Sequence, residues 1–192
     1  MTPEIKTEIP SLKLRLLTEE DAEVLSLRVD QNRERLRRWL PWLDGAKDSS
    51  DQLKYIQRCS ESAAAGTAFH YALFSGGKIV GIVSFNNIEK LNRCGTMGYW
   101  LAKSHTARGY MTAAVKALID DGFKHLELNR IQARVATDNY PSQAVCDRLG
   151  LTRMPVILQE EHHEAWLSGE AEKEVLEPFP ADRMKAWPTM RG

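Results

Sequence analysis

Three short segments of this 192-residue chain carry side chains able to do chemistry. Arg108-Gly109-Tyr110-Met111-Thr112 stands between a predicted strand ending near Leu101 and a predicted helix carrying Val115. A glycine at a helix start lets a ligand approach the backbone, and the first free N–H groups there form an anion site suited to pyrophosphate. Arg108 adds a charge-assisted contact. On these residues alone, the plainer reading is that Gly109 begins a helix and Arg108 is solvated. Thr137-Asp138-Asn139-Tyr140-Pro141-Ser142 joins another strand to another helix. Asn139 there suits an amide-bearing ligand and Ser142 offers a hydroxyl in the first turn, while helix capping explains Asn139 equally simply.

The third segment is Gln159-Glu160-Glu161-His162-His163. Adjacent carboxylates repel, so one can carry a raised pKa and act as a base. Two neighbouring histidines on a strand point to opposite faces, so one metal ion is hardly held by both. His70, His105 and His125 show no ligand spacing, and no metal is expected.

The elements that must position these segments follow from periodicity. Alternation over residues 11–17 predicts a strand, and Thr18 before three acidic residues predicts a helix start. Helices are expected over 33–40, halted near Pro41, and over 48–65, with Leu53, Tyr55 and Ile56 toward the core. Residues 69–74, Gly76-Gly77 and residues 78–85 read as a β-hairpin, and the apolar run Ile79-Val80-Gly81-Ile82-Val83 as a strand covered on both faces. A strand over 96–101, a helix carrying Met111, Val115, Leu118 and Gly122, a strand over 131–137, a helix over 140–149 and a strand at 156–158 complete the pattern. The fold class is mixed α/β: a largely antiparallel sheet with helices on its faces.

Composition bounds the function classes. With 26 Lys+Arg against 26 Asp+Glu the net charge is zero, which argues against a protein that coats nucleic acid. No run is long and apolar enough for a membrane span, and three scattered cysteines form neither a disulfide framework nor a zinc site. A cytoplasmic location is expected. Trp39 and Trp42 could form a dimer contact or a substrate wall, with structural packing preferred.

The order of the segments resembles the GNAT N-acetyltransferase superfamily, and more closely its RimJ/RimL branch of ribosomal-protein N-terminal acetyltransferases. Six segments carry the likeness: Asn32-Arg33-Glu34-Arg35-Leu36 through Trp42; Gly81 to Asn86; Gly98-Tyr99-Trp100-Leu101; Arg108 to Thr112; Leu128-Asn129-Arg130; and Asp138-Asn139 to Gly150. One domain over 11–192 is expected, with the resemblance clearest over 12–161 and a divergent segment at 162–192.

The resemblance implies a twisted, mostly antiparallel sheet, splayed at two central parallel strands, with acetyl-CoA in the opening and an acceptor amine approaching from the other side. It implies that Met97, Gly98, Tyr99, Trp100 and Leu101 line the acetyl and pantetheine arm through their backbone, with an oxyanion donor near Met97 or Gly98. It places Arg108, Gly109, Tyr110, Met111 and Thr112 around the pyrophosphate, Asn139 on the pantetheine, and Ser142 near the sulfur as the acid. Glu161, with Glu160 as substitute, is the implied base. The acceptor is expected to be the α-amine of a protein or peptide. Alternatives are a small-molecule amine, or a family member that binds CoA without catalysis. Several departures stand out: Thr106 and Ala107 occupy places where the family's loop usually begins Gln/Arg-x-x-Gly, often with an earlier glycine, and the Ala107 methyl is expected to crowd the loop. Cys146 replaces a tyrosine acid, Thr96 replaces a glutamate, and Met154-Pro155 replaces Glu-Gly.

Overall fold

Side chains that alternate in the sequence alternate across a pleated sheet. The computed structural model describes residues 2–151. Glu160, Glu161, the strand expected at 156–158 and the changed Met154-Pro155 lie outside the described residues. Six strands are present: β1 (Glu4–Lys6), β2 (Leu12–Leu16), β3 (Phe69–Ser75), β4 (Lys78–Glu89), β5 (Cys94–Leu101) and β6 (Arg130–Ala133). They lie side by side in chain order, antiparallel throughout except for the parallel pair β5–β6. The expected hairpin closes through Gly76 and Gly77, both at positive φ, as a two-residue turn requires.

The helices are α1 (Ala22–Asp30), α2 (Arg33–Arg37), α3 (Ser49–Ala65), α4 (Tyr110–His125) and α5 (Tyr140–Arg148). Asp48 caps α3 by accepting from the Ser50 and Asp51 N–H groups at 2.8 and 3.1 Å. Two apolar clusters divide the faces of the sheet. Leu14, Tyr71, Val83, Phe85, Met97, Leu118 and their neighbours pack with α4 on one side. Leu25, Leu43, Ile56, Ala72, Ile82 and Trp100 join α1 and α3 on the other. β4 is thus buried from Ile79 to Phe85, as its apolar run predicts.

Two differences from the sequence reading have local causes. β6 ends at Ala133 instead of running to 137, because its ladder with β5 stops at the Met97–Ala133 pair and the two strands part there while β5 continues to Leu101. The turn after Thr18 is a 3-10 helix before α1, closed by a capping box in which Asp21 Oδ2 accepts from the Thr18 N–H at 2.8 Å. Among the described residues no helix is long and apolar enough to cross a membrane.

Candidate active site

β5 outruns its parallel neighbour. The β5–β6 pairing covers Cys94–Met97 on β5, whereas the strand continues to Leu101. The β5 edge opposite β4 is therefore free of β6 from Gly98 onward. Residues of a strand turn their N–H and C=O to alternate edges. The Ala102 N–H donates to Val80 O on β4 at 2.7 Å, which sets the phase. Trp100 and Gly98 accordingly spend their backbone groups on β4. Met97, Tyr99 and Leu101 turn theirs to the other edge. Of the five residues expected to line a pantetheine arm by backbone, Tyr99 and Leu101 face the opening; Met97 turns to the same edge but pairs there with Ala133 of β6, and Gly98 and Trp100 face β4. The Leu101 carbonyl is already engaged by the Arg35 guanidinium, leaving Tyr99 as the first residue beyond β6 with both groups at the open edge.

α1 and α2 clamp the end of this strand. Asn32 Oδ1 accepts the Lys103 N–H at 2.8 Å while its amide donates to the Arg28 carbonyl at 2.8 Å. Arg35 reaches Leu101, and its Nε is buried without a partner, so burial lowers the guanidinium pKa. Arg38 then pairs with Asp138 at 2.7 Å, tying α2 to the loop before α5. These residues sit in the Asn32–Trp42 segment, whose role the sequence leaves unassigned.

Beyond the clamp the chain turns into α4. Gly109 is its N-cap at φ +74, and a Cβ there would meet nothing within 4 Å. Glycine is thus required by backbone conformation, and the approach to the first N–H groups of the helix is open. Arg108 is exposed beside it, and Thr112 is half-buried in the first turn. The Met111 side chain is buried in the core, so only its backbone can serve a ligand.

On the far side of the opening stands α5. Asn139 Oδ1 accepts the Ser142 N–H at 3.3 Å, so the residue caps the helix and keeps its amide nitrogen as the group to offer a ligand. Ser142 Oγ donates to the Tyr99 hydroxyl at 3.1 Å, and that hydroxyl donates to the Ser142 carbonyl at 2.9 Å. Cys146 Sγ lies 3.4 Å from the same oxygen. With the phenol proton spent on the carbonyl, the oxygen accepts from both Ser142 and Cys146. Burial, then the Cys146 contact, raises the Tyr99 pKa, so the phenol stays protonated. A tyrosine hydroxyl therefore does stand at Cys146, but it comes from β5. Sequence reasoning assigned Tyr99 by its backbone and missed its side chain.

The other face of β4 and β5 floors a cleft of about 710 Å³. His70, Ser84 and Gly98 form one cross-strand row along that floor. Ser84 Oγ donates to Asn86 Oδ1 at 2.7 Å and approaches Gly98 O at 3.1 Å. The Asn86 amide lies over Gly98, in the space a Cβ would take. Trp42 stacks on Tyr55 with centroids 6.3 Å apart, and the Tyr55 hydroxyl meets His70 Nδ1 at 2.9 Å. Trp42 is 46% exposed and lines the cleft, so it belongs to a wall and not to the packed interior that was expected. Burial brings the His70 pKa down to about 4, so the imidazole is neutral near pH 7.

An open strand edge, an anion-accepting helix start, a hydroxyl pair beside that edge and a separate cleft on the other face of the sheet suit transfer between two substrates. Residues 11–152 match the family model described as an acetyltransferase (GNAT) domain. The chain belongs to this family. It is 33% identical over 140 residues to the putative ribosomal N-acetyltransferase YdaF of Bacillus subtilis, covering 72% of this chain and 76% of that one. It is 31% identical over 150 residues to the ribosomal-protein-serine acetyltransferase of Escherichia coli, covering 78% and 83%. Among solved structures it is similar to RimL, a ribosomal L7/L12 α-N-protein acetyltransferase in complex with coenzyme A. The TM-score there is 0.73 with 28% identity, over 76% of this chain and 81% of that one. The chain is an acetyl-CoA-dependent N-acetyltransferase.

In this acetyltransferase, Ala107 has φ +60, a conformation a methyl-bearing residue adopts at a cost of ~1–2 kcal/mol. The departure at Ala107 is thus a matter of backbone conformation. Ala107→Gly removes that cost and adds chain entropy worth ~0.4–1 kcal/mol. A net gain of about 0.5–1 kcal/mol in unfolding free energy is expected in urea titration, with tighter acetyl-CoA binding. An unchanged or lower stability contradicts the strain.

Proposed function

We propose that this acetyltransferase acts in the cytoplasm on the α-amine of a protein or peptide, by direct attack within a ternary complex. The observation that carries the reading is the open β5 edge at Tyr99, bounded by the α4 N-terminus on one side and by Ser142 on the other. The relatives named for ribosomal-protein acetylation support the acceptor class.

The residues present fit the donor. Arg108 and the N–H groups of Tyr110, Met111 and Thr112 hold the pyrophosphate around an unobstructed Gly109. Tyr99 offers both of its edge groups and Leu101 its N–H to the arm, joined by the Asn139 amide. Acetyl-CoA supplies an activated thioester carbonyl. The Tyr99 N–H is placed to meet developing negative charge on its oxygen. Ser142 turns its hydroxyl proton from the Tyr99 oxygen to the departing sulfur, and the protonated Tyr99 phenol, turning from the Ser142 carbonyl, donates to the serine oxygen left behind. Glu161, or Glu160, takes the proton of the acceptor ammonium.

Thermal unfolding with acetyl-CoA is the test. At about a hundredfold excess over Kd, a ligand selective for the native state adds ~2.7 kcal/mol. For a domain of this size that corresponds to a rise of about 5–10 °C in Tm. Thiol release with serine-initiated peptides should follow. Absence of any shift at millimolar acetyl-CoA would defeat the reading; a shift without thiol release on any amine would leave a CoA-binding protein.

A further inference from the structure

The acceptor of the proposed reaction approaches from the side opposite the donor, where the cleft on the other face of β4 and β5 has an uneven charge; this inference rests on that proposed function. α3 presents Asp51, Lys54, Tyr55 and Arg58 to the cleft, at i, i+3, i+4 and i+7. Gln52 lines the cleft as a buried, uncharged residue, and Ile56 and Cys59 turn to the interior. Asp51 is already committed. Its Oδ2 accepts the Lys47 N–H at 3.0 Å, its Oδ1 lies 3.7 Å from Lys54 Nζ, and it sits in the first turn of α3, where the helix dipole favours a carboxylate. Arg58 forms no ion pair among the described residues. Neutral His70 and the protonated Tyr55, whose pKa burial raises, add no charge. Among the described lining residues the balance is therefore positive. A polyamine or an aminoglycoside would bring its cations against Arg58 and Lys54.

Geometry then says which part of an acceptor meets this charge. His70, Ser84 and Gly98 are register partners on three successive strands. Strands lie ~4.8 Å apart, so the β3 side of the cleft stands about 10 Å from the β5 edge where the amine must react. His70 is thus too distant to take the amine's proton directly. An extended peptide advances ~3.3 Å per residue, so a span of about 10 Å brings its third or fourth residue under α3. We infer that the acceptor is a peptide with an acidic side chain at its third or fourth position, read by Arg58 and Lys54.

The test uses the full chain with acetyl-CoA and serine-initiated hexapeptides that differ only at positions three and four. Acidic peptides should exceed lysine-bearing ones in kcat/KM by about tenfold at low ionic strength, as expected for exposed pairs counted in attraction and repulsion. The ratio should collapse in about 1 M salt, where the Debye length is ~3 Å. It should persist in Arg58→Lys and invert in Arg58→Glu. Moving the carboxylate to position two should remove the advantage. Equal or better turnover of the lysine peptides, or a ratio unmoved by Arg58→Glu, overturns the inference while leaving the peptide reading intact. No turnover of any peptide, with acetyl-CoA still raising Tm, overturns the peptide reading and this inference together.

Discussion

Ser142→Ala is expected to lower kcat by about 10²–10³-fold while the Tm rise with acetyl-CoA persists. General acids supply ~10²–10⁴-fold, and removal of this hydroxyl leaves the pyrophosphate loop and the strand edge untouched. Tyr99→Phe should cost a similar factor, because the hydroxyl it deletes both accepts from Ser142 Oγ and donates to the Ser142 carbonyl. The two groups act as one unit, so the double variant should fall little below either single one. Unaltered turnover in Ser142→Ala removes the acid assignment. A large loss in Ser142→Ala with none in Tyr99→Phe reduces Tyr99 to packing. Cys146→Ser offers a finer check, since the serine hydroxyl can still donate to the phenol and activity should survive.

The largest effect on stability is expected at Gly81, opposite Leu101 in the β4–β5 ladder. A Cβ there would overlap the Trp100 carbonyl oxygen and crowd Leu101, and both are backbone contacts that no rotamer change relieves. Overpacking typically costs 1–3 kcal/mol, and a backbone clash lies at the upper end. Gly81→Ala should therefore lose about 3 kcal/mol, lowering Tm by roughly 6–12 °C for a domain of this size. The clash also pushes on the strand end that carries the open edge, so acetyl-CoA binding should weaken in the same variant. Gly109→Ala provides the contrast: it meets open space and bears only the left-handed backbone cost of ~1–2 kcal/mol. Equal losses in the two variants would mean that the β4–β5 contact yields more easily than this packing implies.

Much of this fold is legible from short-range pattern. The Gly76-Gly77 hairpin, the buried run of β4 and the amphipathic α4 each follow from periods of two or 3.6 residues and from turn chemistry. Six loose segments in the right order are enough to point to the GNAT family. The end of β6 was not legible, because alternation continues in the sequence after β5 and β6 have parted. Nor was the positive φ at Ala107, since alanine carries no local signal for that conformation. Trp42 was misplaced for a related reason: an aromatic residue in a turn looks the same in a core and in a cleft wall.

The sequence by itself determined the family and the acetyl donor, and it named the loop and the hydroxyl proposed to face that donor, because residue types at fixed local spacing carry them. Tertiary structure alone decided which atoms meet. Tyr99 reaches Ser142 across 43 positions, Arg35 reaches Leu101 across 66, and Arg38 reaches Asp138 across 100. Those distances along the chain are closed by strand pairing and helix packing, which no local period records. The charge of the cleft proposed for the acceptor has the same origin: in a chain of zero net charge, Lys54 and Arg58 come together beside it only when α3 packs over the sheet.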